Sequence, residues 1–361
     1  HQEGAKQVDK GLYGALIVEP ENKVKPDRDF TLILDEWQEK PMDEMGSMPG
    51  DGHNGGHGDM KMNGQDPLKA EEQMMKESYN IFTVNAKAGN LISPLEVKKG
   101  EVVRLRLINA GYRSHGIHIP GQEFKVVSTD GQDIEGAALI KDQVILVAPG
   151  ERYDVEFVVS SDESFVVDAH DSNLYNDQIK IPVKVTDGNG TFRTEAEGVL
   201  HPIFDLAAYG NGGSSQFAIN QSFSVDYNVI LNTKVDQGLQ YTINGKTFGE
   251  LPALKIKTED TVKFTFDNRS AVDHPMHLHG HFFQVLSRNG TPLKAVIIKD
   301  TLMVKPGEKY IVAFKADNPG NWVQHCHELH HAAAGMMQKI EYTDFKSNYI
   351  SDPKNTYNKP E

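Results

Sequence analysis

Cysteine is all but missing from these 361 residues: Cys326 stands alone, so no disulfide can form within the chain. That removes the usual sign of an oxidising compartment without proving a reducing one. Long apolar runs are also missing, and nothing approaches the roughly 20 residues a membrane-spanning helix needs. Tryptophan occurs only as Trp37 and Trp322, which read as core residues rather than substrate contacts. Basic residues are outnumbered, Lys+Arg 37 against Asp+Glu 51, for a formal net charge of −14. A surface of that sign repels nucleic acid and anionic membranes, and suits a metal cation or a neutral reductant as partner. No secretion signal is visible and the first residue is His1, so the natural beginning of the polypeptide is expected to be missing here.

What is present is mostly short β-branched and aromatic runs, such as 102–107 (VVRLRL) and 261–266 (TVKFTF). Turn residues punctuate them, as in Pro149-Gly150-Glu151 and Pro306-Gly307-Glu308. Strands at this spacing, with little helical periodicity, predict β-sandwiches. A repeat sharpens the expectation. Residues 95–109 align without a gap on 254–268, and in that register His115 falls on His274, His118 on His277, Gly121 on Gly280 and Phe124 on Phe283. After a two-residue slip, 149–153 (PGERY) falls on 306–310 (PGEKY), and 165–170 (FVVDAH) on 322–327 (WVQHCH).

The expected division is a remnant of a first copy over 1–40, a Met/His/Gly-rich loop with a short helix over 41–77, and a second copy over 78–190. A linker over 191–215, a third copy over 216–345 and a tail over 346–361 complete it. Gly11 to Pro20 reads like a final strand following a histidine, as Gly335 to Tyr342 follows His327. The loop from Met42 to Met75 holds seven of the eleven methionines, with His53 and His57 among glycines, and a helical stretch is expected near Pro67 to Glu77. Its composition fits either a solvated linker or a Cu(I)-binding segment, since thioethers are soft ligands.

Eight of the fifteen histidines lie between His274 and His331. One cluster is His274, His277, His279 and His281; the other is His325-Cys326-His327 followed by His330, His331 and Met336. On a strand, His325 and His327 point one way and Cys326 the other, so three residues can serve two metal sites on opposite faces. His277 and His279 share a face if that segment is extended, whereas His274, an odd number of residues away, can serve the other site. His274, Cys326 and His331 with Met336 are two imidazoles, a thiolate and a weak thioether, the set expected of an electron-transferring blue copper. Zinc is the main chemical competitor, and the paired His-x-His segments argue against a lone structural zinc. His281 and His330 match no ligand position.

These two clusters resemble the C-terminal copper motifs of multicopper oxidases, the laccase and bacterial copper-oxidase group. The resemblance implies tandem cupredoxin-like Greek-key β-sandwich domains in an all-β fold. It implies a type 1 copper on His274, Cys326, His331 and Met336, a type 2 copper on His277, and a binuclear type 3 pair on His279, His325 and His327. Cys326, His325 and His327 would carry electrons from type 1 to the trinuclear cluster. A phenol or a metal ion such as Cu(I), docked at the exposed edge of His274 or His331, would be oxidised, and O2 reduced to water. An extracellular, cell-surface or periplasmic location is implied by the family alone.

Two departures qualify it. Four cluster histidines of the family come from its first domain, and only His1 is placed to be one of them; a lost N-terminal segment or a second chain would supply the others. Where many relatives carry a glutamate after the second type 1 histidine, this sequence has Ala332. The middle copy has 168–170 (DAH) in place of the His-Cys-His, so His115, His118 and His170 are expected to hold no blue copper. The competing reading is a non-enzymatic copper carrier or store, or an inactive fragment, built from the same domains.

Overall fold

Along Thr261–Asn268 every second side chain is buried, and Val102–Asn109 alternates in nearly the same way, as strands with one face on a core require. The computed structural model describes residues 7–8, 10–21, 24–38, 66–168, 179–193, 199–236 and 238–346. In it these two strands run through the middle of two β-sandwiches.

The first sandwich has one layer in the order Lys87–Ala88, Tyr79–Val84, Arg28–Gln38, Val102–Asn109, Arg152–Val158, Glu123–Thr129 and Gln132–Asp133, with Ile140–Lys141 also paired to Glu123–Thr129. Its other layer joins Phe165–Asp168, Lys180–Val185 and Leu95–Val97, beside the pair Ile145–Val147 and His115–Ile117. A bridge between His118 and Asp168 ties those two pieces. The second sandwich repeats the plan. Gly238–Ile243, Val225–Asp236, Thr261–Asn268, Lys309–Lys315, Phe283–Arg288 and Thr291–Lys299 form one layer. Leu254–Ile256, Met337–Tyr342, Asn321–Cys326, His274–Leu278 and Thr301–Val304 form the other.

One core runs through both sandwiches, and Phe264, Phe266, Phe283 and Phe314 are fully buried in it. Each such side chain contributes about 1.5–3 kcal/mol relative to exposure. The hairpins that edge the two larger layers turn at Asn85-Ala86 and Asn244-Gly245, all four at positive φ. In both, the asparagine side chain accepts from a backbone N–H of the neighbouring strand, Ile33 at 2.9 Å and Ile230 at 2.8 Å.

The structure moves one boundary. Arg28–Gln38, assigned from sequence to a first-copy remnant, runs parallel to Val102–Asn109 with Leu34 opposite Asn109. Val225–Asp236 lies against Thr261–Asn268 in the same way, with Leu231 opposite Asn268. The first sandwich therefore begins at Arg28, not at 78. The sequence division failed because the methionine-rich stretch interrupts a hairpin: Arg28–Gln38 pairs with Tyr79–Val84 across it, whereas Val225–Asp236 turns into Gly238–Ile243 directly. Gly11 to Pro20 forms no strand among the described residues, and Leu12, Leu16 and Val18 are exposed.

The expected helix is α1, Pro67–Ser78; Asp66 caps it by accepting from Leu68 N, and proline fits its first turn. Most of the Met42–Met75 loop, with His53 and His57, lies outside the described residues, as do His1, His170 and nearly all of the 346–361 tail. A second, short helix, α2, spans Leu329–Ala333.

Candidate metal centre

Strand pairing brings the two histidine clusters together. His274–Leu278 lies antiparallel to Asn321–Cys326, with Met276 opposite Cys326 and His277 opposite His325. Side-chain alternation then sorts the donors onto two faces. On one face, Cys326 Sγ lies 3.6 Å from His274 Nδ1 and 3.6 Å from His331 Nδ1. On the other, His277, His279 and His325 offer ring nitrogens within 4.8 Å of one another, and His279 Nε2 is 2.9 Å from His325 Nε2. The His327 ring is centred 5.6 Å from that of His277 and 5.7 Å from that of His325, adjoining this trio without completing it. Met336 is fully buried, and its carbonyl accepts from Cys326 N at 3.1 Å.

Burial sets the protonation of these groups. It holds the His274 and His325 imidazoles well below the usual histidine range, with His331 and His277 respectively adding cationic repulsion, and it lowers His331. His327 is brought down to about 3, by burial first and then by His277. Burial pushes the Cys326 thiol up, so a thiolate there needs a cation opposite it. Neutral imidazoles beside a thiol that ionises only against a cation are what a soft metal requires. His327 Nδ1 is buried without a hydrogen-bond partner, a state that burial penalises unless something binds there. The donors on both faces therefore fit copper.

Several neighbours escaped the sequence reading. Ser270 Oγ caps His274 Nε2 at 2.9 Å. Glu328 Oε1 accepts from His330 Nδ1 at 2.8 Å, and Oε2 accepts from His331 N at 2.7 Å and lies 3.2 Å from His331 Nε2. Charge from His331 and His330 outweighs burial there and keeps the Glu328 carboxyl at about 2. Tyr241 stacks on His331 with ring centroids 3.8 Å apart, and its hydroxyl donates to Glu71 of α1. Only Glu328 had a local signal, as a capping residue before Leu329–Ala333; Tyr241 and Glu71 are brought in by folding. Of the two imidazoles expected to present an exposed edge, His274 is wholly buried, whereas His331 keeps 12% side-chain exposure with Tyr241 stacked on it and Glu328 beside it.

The middle copy holds no comparable set among the described residues. His115 is buried against Glu36, Nε2 to Oε2 2.9 Å, and His118 stacks on His201 at 4.0 Å. His281 pairs with the Tyr342 hydroxyl at 2.6 Å, and His330 packs against Tyr112. Trp37 donates to Asp35, and Trp322 packs against the core under Gly280.

Comparison with known proteins agrees with this architecture. Two family profiles, both described as multicopper oxidase, match residues 28–194 and 221–345. The multicopper oxidase MmcO of Mycobacterium tuberculosis is 27% identical over 365 residues, covering 93% of this chain and 67% of that protein. An iron transport multicopper oxidase of Kluyveromyces lactis is 22% identical, covering 93% of this chain and 59% of its own length. The crystal structure of a laccase from Botrytis aclada superimposes with a TM-score of 0.71 at 16% identity, over 94% of this chain and 68% of that one. The sandwiches are thus of the cupredoxin-like kind, and the chain spans between 46% and 67% of the curated relatives it matches. With both of its sandwiches matched in this way, the chain belongs to the multicopper oxidase family.

Proposed function

We propose that this chain is the electron-accepting part of a copper-dependent oxidase, with half of the site at which oxygen is reduced. The observation that carries the reading is the opposition of Cys326 Sγ, 3.6 Å from two imidazoles, and His325, in a cluster of three, on the two faces of one strand. His274, Cys326 and His331 would hold a type 1 copper, with Met336 as the weak fourth ligand. His277 would hold a type 2 copper, and His279, His325 and His327 part of a type 3 pair; the remaining ligands would come from outside the described residues. Bound in these places, copper supplies single-electron acceptance from a reductant and the reduction of O2 to water.

The protein's own groups prepare both faces. Burial keeps His274, His325, His327 and His331 neutral and ready to donate lone pairs. Cys326 gives up its proton on loading, so metal uptake should release protons. The backbone between Cys326 and its two histidine neighbours gives electrons a short covalent route across the strand.

A metal ion, Cu(I) among them, fits better than a phenol as the reductant. Glu328 lies beside His331, and Glu71 accepts from the Tyr241 hydroxyl stacked on it, so carboxylates stand near this imidazole. Glu71 belongs to α1, and the stretch of sequence that leads through this helix holds seven methionines; soft thioethers select Cu(I).

Copper loading tests the reading. The loaded protein should show an intense blue absorption, and under air with Cu(I) or a phenol it should consume oxygen. Blue protein without uptake on either reductant would favour a carrier, and about four coppers per functional unit rather than one would favour the oxidase.

A further inference from the structure

The first sandwich, which offers no blue copper set among its described residues, nevertheless reaches into the candidate imidazole site of the other one. Its 149–153 turn is the repeat counterpart of 306–310, but the two are used differently. Lys309, in the later copy, is half-exposed and pairs with Asp267 of its own sandwich at 3.3 Å. Arg152, its counterpart, crosses between sandwiches and donates to both oxygens of Asp300, at 2.6 and 2.7 Å. Asp130, also of the first sandwich, accepts from Asp300 N and Thr301 N at 3.1 Å each. Lys299 is fully buried between Asp130 and Glu151, at 3.2 and 3.3 Å.

This grip ends at His277. The His277 Nδ1–H faces the Asp300 carbonyl at 3.0 Å and Thr301 Oγ1 at 2.9 Å, while the Thr301 hydroxyl donates to Asp300 Oδ1 at 2.8 Å. Nδ1 therefore carries the proton, and Nε2 keeps its lone pair for a metal. The same turn also backs His327: a Cβ on Gly150 would fall 2.5 Å from that ring, and Gly150 sits at φ +79°, so only glycine lets the turn lie there.

A part-buried ion pair such as Arg152–Asp300 adds little net stability, so its use is better explained by position than by strength. We propose that Arg152 is a positioning residue for the imidazole site: by fixing Asp300 across the domain boundary it locks His277 in the Nδ1–H form with Nε2 presented to copper. The inference rests on the copper reading above and assigns a task to the first sandwich.

The test uses the whole chain, labelled with 15N-histidine, as wild type, Arg152→Met and Arg152→Lys, with His277→Gln to assign the resonance. In the metal-free state the wild type should show His277 as the Nδ1–H tautomer. Arg152→Met should mix the tautomers, and Arg152→Lys should do so less. In Cu2+ titrations the non-blue copper signal should weaken by about 10–100-fold in affinity in Arg152→Met, as loss of an outer hydrogen-bond partner does elsewhere. The blue absorption should be unchanged. If either folded variant melts earlier yet keeps the wild-type tautomer and non-blue affinity, Arg152 is merely structural and the proposal is wrong. Should Arg152→Met not fold, Arg152→Lys decides. A wild type that takes up no copper would remove the copper reading, and the tautomer comparison would still decide this one.

Discussion

His115 and His274 occupy the same place in their two sandwiches, each with its Nε2 capped by an oxygen 2.9 Å away, and there the likeness ends. In the second sandwich the cap is the Ser270 hydroxyl, and the other ring nitrogen faces Cys326. In the first, Gly111 stands where Ser270 would, and the space goes to Glu36, whose carboxylate lies within 2.9 Å of where a Gly111 Cβ would sit. Glu36 also accepts from Tyr112 N and Arg113 N, at 2.5 and 2.7 Å. The strand registers pair Phe82 with Tyr241 in the same way: each meets its histidine edge-on, but only Tyr241 carries a hydroxyl, which binds Glu71. One β-sandwich plan thus accepts either a soft-metal donor set or a buried acid against a histidine. Which of them it holds depends on few positions.

The comparison can be broken most completely at the sulfur. Cys326→Ser should abolish the blue absorption of the copper-loaded protein, leaving the second sandwich as colourless as the first; a retained blue band would place the chromophore elsewhere. Next in size is Glu36→Ala. It strands His115 and two backbone donors, and should cost about 3–5 kcal/mol in denaturant unfolding while leaving the blue band intact. A loss below about 1 kcal/mol would mean that the first sandwich does not depend on this pair.

Tyr241→Phe gives the second sandwich the ring of the first. It leaves Glu71 buried without its donor and should cost about 1–3 kcal/mol, with the copper chromophore kept. A pH-dependent difference concerns Asp35, whose counterpart in the strand registers is Asn232. Burial pushes the Asp35 carboxyl up to about 7, although Tyr13 and Trp37 donate to it. A raised folded-state value means that the folded protein holds this proton more tightly. The contribution is therefore complete below the unfolded value of about 3.9 and is lost as pH rises through about 7. Asp35→Asn should flatten the stability profile between those values, and an unchanged slope would count against the assignment.

Much of the site could be read before folding was known. Alternation along 325–327 separates sulfur from imidazole, and the spacing from His274 to His279 repeats the same two-face logic. The repeat also located the strands correctly from 95 onwards. It failed at Arg28–Gln38, because a strand whose hairpin partner lies forty residues on has no local mark of the sheet it joins. Nor did the sequence reveal Tyr241 or Glu71, 170 positions apart and joined beside His331 by a hydrogen bond that only folding forms.

The sequence by itself determined which donors exist and which face of a strand each takes, because side-chain direction in an extended chain follows from covalent geometry. Only the tertiary structure decided what surrounds them: the stacking of Tyr241 on His331, the contact of Glu36 with His115 in the first sandwich, and the crossing from Arg152 to Asp300. Those depend on bringing distant segments into a shared low-dielectric interior, where charges and hydrogen bonds acquire the strength to fix one arrangement.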